Sequence, residues 1–95
     1  MSSKYEDKVL KYLVNYLEVA KKVKEIASKL DPEVEVYVFG SVVRGDYTAA
    51  SDIDILVVTR RLELKYEIMV EVYRQTEAPI ELHVVTPTLL EKWYK

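Results

Sequence analysis

Both glycines of this chain fall in one stretch, VFGSVVRGDYTAASDIDILVV at 38–58, which also sets Asp52 and Asp54 one residue apart inside an otherwise apolar run. Glycine is the residue that lets a backbone turn left-handed or come close to another group, so the tight turns of this chain gather at Gly40 and Gly45. The stretch admits folds in which a sharp turn and a pair of acids meet at the end of a strand. Two acids inside an apolar strand are an electrostatic problem, and the fold has to supply its solution.

The flanking segments set the frame. From Lys4 to Leu30, Val9, Leu13, Tyr16, Leu17, Ala20, Val23, Ala27 and Leu30 recur every three or four residues among lysines and glutamates, which predicts one long amphipathic helix. Asp31-Pro32 ends it, because proline disfavours helical geometry in the residue before it. Val34 to Phe39 alternates and is rich in β-branched and aromatic residues, so it reads as a strand stopped by Gly40. Ser41 to Arg44 reads as one helical turn, Gly45 to Ser51 as a loop, and Asp52 to Thr59 as a second strand. Arg61 to Gln75 returns to helical periodicity, with Leu64, Ile68, Val72 and Tyr73 facing inward. Ile80 to Val85 is a third strand, and Thr86-Pro87 opens a short final helix. The order αβ(α)βαβα describes an α/β (α+β) layer structure: a small sheet of about three strands covered by helices, in a single domain over residues 1–95. The helical crossover allows strands two and three to be parallel.

Composition narrows the function. There is no cysteine, so a disulfide framework, a thiol nucleophile and a thiolate metal site are excluded, and any metal is held by oxygen or imidazole. No apolar run approaches the roughly 20 residues of a membrane span. The amino terminus lacks the pattern of a signal peptide, which places the protein in the cytoplasm. Residues 1–30 hold seven lysines against four acids, and residues 31–58 hold six acids against one arginine. No basic face of the kind that binds duplex DNA emerges.

Residues two apart in a strand point to one face, with α-carbons about 6.6 Å apart, so Asp52 and Asp54 project together. Two ionised carboxylates that close repel, unless a cation sits between them or one takes up a proton. A hard divalent ion such as magnesium resolves the conflict and keeps positions for phosphate oxygens. Gly40 lets a phosphate approach the backbone, and Ser41 adds a hydroxyl and opens a helical turn with free N–H groups. Arg44 either contacts phosphate or ties the loop down through Asp46.

The run GSVVRGDYTAASDIDILVV resembles the signature of the minimal nucleotidyltransferases of the DNA polymerase β superfamily, in which Gly-Ser, Arg-Gly and Ser-Asp-hydrophobic-Asp recur in this order. The resemblance implies that Asp52 and Asp54 bind metal, one or two magnesium ions, and that Gly40, Ser41, Arg44 and Ser51 hold the triphosphate of ATP. It also implies a third acid on a later strand, for which Glu81 is the natural candidate. His83 shares a face with Glu81 but, as an isolated histidine, is placed at the edge of the pocket and outside the catalytic set.

Larger members of the superfamily carry a further domain over the base or acceptor. In the minimal family that wall comes from association, commonly with a helical HEPN-type toxin, onto whose tyrosine the enzyme transfers AMP, acting as antitoxin. A non-catalytic antitoxin that occludes its partner and a nucleotidyltransferase acting on small molecules are the alternatives. The first helix and the aromatic end, Trp93 and Tyr94, suit docking to such a partner or to a second copy. Tyr47, between the cradle and the aspartates, is expected at the surface.

Overall fold

The computed structural model describes the backbone of residues 4–94 and the side chains of 7–92, which leaves the side chains of Trp93 and Tyr94 outside the described residues. Asn15 divides the segment whose periodicity predicts one helix. Its backbone, at φ −99° and ψ 36°, leaves helical geometry. Its side-chain Nδ2–H donates to the Lys11 carbonyl at 2.9 Å, the same carbonyl that its backbone N–H reaches at 3.1 Å. An asparagine amide that competes in this way for helix carbonyls loosens the ladder. The result is α1 (Lys4–Val14) and α2 (Tyr16–Ser28). The break also shifts the buried stripe, from Val9 and Leu13 on α1 to Val19, Val23, Ile26 and Ala27 on α2. Leu17, expected inside, is 63% exposed.

Beyond α2 the chain turns at Asp31, which is buried rather than a mere helix stop. Its carboxylate accepts the Glu33 N–H at 3.1 Å and the Thr59 hydroxyl at 2.6 Å. Thr59 Oγ1 in turn accepts the Arg61 N–H at 3.0 Å. A buried carboxylate needs such donors to offset its lost hydration. This network joins the entry to β1 (Glu35–Phe39) with the exit from β2 (Ile53–Val58).

The expected strands appear, trimmed by one residue at the start of the first and at both ends of the second; the third, β3 (Ile80–Val85), has the expected bounds. The sheet order is β1-β2-β3, with β1 antiparallel and β3 parallel to β2. A parallel pair needs a long crossover. Here it consists of a 3₁₀ turn at Leu62–Leu64 and α4 (Lys65–Gln75), where the periodicity predicts one helix from Arg61. Tyr73, expected inside, is half-exposed, and its hydroxyl oxygen accepts the Leu82 N–H of β3 at 3.0 Å. The turn α3 (Ser41–Arg44) links β1 to the loop before β2, and α5 (Pro87–Tyr94) follows β3.

Ile53, Ile55 and Val57 of β2 point one way into a core shared with Val23 of α2 and Ile68 and Val72 of α4. Asp54 and Glu81 belong to the opposite face by alternation. The mixed three-stranded sheet with its helices is the α/β architecture expected from the sequence, the first helix counted as two. Among the described residues no helix is long and apolar enough to cross a membrane.

Candidate active site

Strand register decides which side chains meet. Phe39, the last residue of β1, lies opposite Asp54, and Glu81 lies opposite Asp54 on the other side. Adjacent strands are about 4.8 Å apart and paired residues share a face, so Asp54 sits in the middle of a row across the sheet. Gly40 follows Phe39 at once, at φ 87° and ψ −161°, a conformation that side-chain-bearing residues rarely adopt. A Cβ there would collide with Asp54 Oδ2 and come within 3.1 Å of its Cγ. The Asp54 carboxylate thus rests on bare backbone. Beyond it α3 is pinned by Val42, which is buried in the core, and is closed by Gly45 at φ 80°. The Asp46 N–H donates to the Ser41 carbonyl at 3.2 Å.

Asp54, Glu81 and His83 each bring a potential ligand atom within 4.8 Å of the others. His83 Nε2 lies 3.6 Å from Glu81 Oε1, and the imidazole packs against Phe39 with ring centroids 5.7 Å apart and planes at 48°. Burial holds the Asp54 carboxyl above its ordinary pKa, and the hydrogen bond and like charge shared with Glu81 push the same way. The charges of His83 and Arg44 pull it back down. A cation placed beside the two carboxylates would act against that shift and favour the ionised form. Two carboxylates and an imidazole in reach of one another are a donor set that fits a divalent metal.

The other expected site residues are placed as follows. Asp52 is exposed, one residue before β2, and lies outside the three-residue group. Ser41 opens α3 beside Gly40, half-buried. Arg44 Nε pairs with Asp46 Oδ2 at 3.5 Å, with both side chains well exposed, so the loop contact left open by the sequence is formed. Exposed pairs of this kind contribute about 0–1 kcal/mol, which leaves the guanidinium cheap to recruit. Ser51 Oγ accepts the Thr48 N–H at 3.0 Å and so tightens the loop that delivers β2. Tyr47, expected at the surface, packs partly buried against the core.

Residues 20–95 match the nucleotidyltransferase domain family. The chain belongs to that family. Among solved structures, a provisionally named nucleotidyltransferase of Sulfolobus solfataricus is similar, with TM-score 0.65 and 29% identity over 96% of this chain and 82% of that one. A second provisionally named nucleotidyltransferase shows TM-score 0.62 and 32% identity over 76% of this chain and 83% of its own. No curated protein matches the chain significantly.

In a nucleotidyltransferase, metal ions neutralise the triphosphate and acidify the attacking hydroxyl. Of the residues that the sequence marks for metal, this nucleotidyltransferase brings together Asp54 and Glu81 and adds His83. The available signal for His83 was its two-residue spacing from Glu81, which assigns a shared face. The missing step was the pairing of Glu81 with Asp54, which depends on strand register.

Proposed function

We propose that the chain is a magnesium-dependent nucleotidyltransferase that transfers AMP from ATP to a tyrosine hydroxyl of a helical HEPN-type toxin, and so acts as its antitoxin in the cytoplasm. The observation that carries the reading is the seat of Asp54. Its carboxylate lies against the Gly40 backbone, directly across from Glu81, so the turn suited to phosphate adjoins the acids suited to metal.

In this reading Asp52, Asp54 and Glu81 hold the metal, while Gly40, Ser41, Arg44 and Ser51 hold the triphosphate. The tyrosine oxygen attacks the α-phosphorus and gives up its proton to water, a new P–O bond forms, the bond from the α-phosphorus to the α–β bridging oxygen breaks, and pyrophosphate leaves. The chemistry is mostly positioning and charge stabilisation, which a site without a strong general base can supply. Metal binding through Asp54 requires the carboxylate ionised, and a bound cation would favour that form.

The test is the mass of a HEPN-type partner after co-expression. A gain of one or more nucleotide monophosphates on tyrosine, lost with Asp54→Asn, is the expected result. An inhibited but unmodified partner would replace this mechanism with occlusion. Transfer to a small acceptor without any partner would point to a small-molecule enzyme.

A further inference from the structure

We propose that His83 is itself a metal ligand, and that its imidazole, added to the Asp54 and Glu81 carboxylates that serve magnesium in the proposed reaction, raises the affinity of this site for imidazole-accepting transition ions such as zinc. The proposal deepens the nucleotidyltransferase reading and rests on it for the need of a cation. Its test does not pass through catalysis.

Geometry supplies the first argument. Asp54 and Glu81 are register partners, and His83 lies two residues along β3 on the same face. One donor atom from each falls within 4.8 Å of the others, with Nε2 of His83 already 3.6 Å from Glu81 Oε1. Metal–ligand bonds of about 2.0–2.2 Å put neighbouring ligands roughly 3–4 Å apart, so the trio needs only a small closure to grip one ion.

Orientation supplies the second. The Phe39 ring against the imidazole limits how His83 turns. Gly40 carries no Cβ that would dislodge Asp54 Oδ2. Two of the three donors, His83 and Asp54, are thus flanked by neighbours on β1 and at its end.

Donor chemistry supplies the third. Magnesium takes oxygen ligands and gains little from an imidazole, whereas zinc and the later first-row ions accept nitrogen readily. Within this group the one histidine of the chain is the side chain that shifts the donor set away from pure oxygen.

The single histidine also makes the test unambiguous. Tag-free, ¹⁵N-labelled protein without nucleotide is titrated separately with Zn²⁺ and Mg²⁺, and the imidazole nitrogens are followed by NMR. Zn²⁺ is expected to move a His83 ring nitrogen to the position of a metal-bound imidazole at stoichiometric addition, while Mg²⁺ on the neighbouring carboxylates gives only the smaller shift of a nearby charge. His83→Gln, at a side chain 38% exposed and so tolerant of replacement, is expected to lower Zn²⁺ affinity by about tenfold or more and to change Mg²⁺ affinity far less. Thermal unfolding of the metal-free variant confirms that it is folded.

Imidazole signals indifferent to Zn²⁺, or a His83→Gln variant with unchanged Zn²⁺-to-Mg²⁺ preference, would overturn the proposal and leave His83 as a neighbour of Glu81 packed on Phe39. A zinc-shifted imidazole in a protein that transfers no nucleotide would keep the metal site and sink the enzymatic reading. AMP transfer by a protein whose imidazole ignores zinc would do the reverse.

Discussion

Gly40 is where backbone conformation and site chemistry meet in one residue. Its φ of 87° disfavours any side chain, and the position of a Cβ is already taken by the Asp54 carboxylate. Gly40→Ala should therefore cost about 1–3 kcal/mol of stability from the backbone alone, read as a lower midpoint in denaturant, and should displace Asp54 and abolish nucleotidyl transfer. Gly45→Ala, with the same sign of φ but open space around it, is the control: a comparable backbone cost with the acids in place. Asp54 yields a pH prediction. Its folded-state pKa is raised above the ordinary 3.8, by burial first and Glu81 second, against the pull of His83 and Arg44. Between the unfolded and folded values the native state holds a proton that the unfolded chain has released, so this contribution to stability falls as pH rises through the window. Glu71 and Glu77, whose pKa values are lowered by partners, act in the opposite direction. The wild type minus Asp54→Asn difference in unfolding midpoint, measured with chelator across pH, isolates the effect. It should decline with rising pH, and saturating divalent metal should remove the decline.

At the scale of elements, periodicity and glycine placement made most of the architecture legible, because amphipathic helices and alternating strands record their own burial. The Asn15 break was not legible, since an asparagine on the surface of a helix costs little by propensity and the decisive bond to Lys11 is a local choice between two geometries. The buried link between Asp31 and Thr59 was hidden for another reason: it joins residues 28 apart in sequence. Asp31 was legible only as the residue before Pro32. The link predicts that Thr59→Val, nearly equal in volume, destabilises the fold by about 1–3 kcal/mol, because a buried carboxylate loses its hydroxyl donor and the Arg61 N–H loses its acceptor. In a chain of this size that is a fall in melting temperature of roughly 4–8 °C per kcal/mol. An unchanged melting temperature would show that water replaces the hydroxyl at no cost.

At the scale of the whole molecule, the sequence marked the residues proposed for the donor half of the reaction. It marked the Gly-Ser turn and the acids because their spacing is local, but it could not assemble them. Whether Glu81 faces Asp54 depends on the parallel pairing of β2 with β3, and the admission of His83 to the group follows from the same register. In the proposed reaction the acceptor belongs to another molecule, and no pattern within this chain specifies it. That division yields a prediction that separates catalysis from occlusion. Asp54→Asn replaces one carboxylate oxygen by an amide at a half-buried position in the sheet and leaves the helices of the opposite face untouched. Binding to a HEPN-type partner should persist within about threefold in a pull-down or titration, since the substitution keeps the size of the side chain and leaves the helices on the other side of the sheet unchanged. AMP transfer, measured by partner mass, should fall by at least about a hundredfold, the scale of losing a group that stabilises transition-state charge. Growth rescue from the toxin should fail with it. A variant that binds, transfers nothing and still rescues growth would make the nucleotidyl chemistry dispensable and the protein an occluding antitoxin.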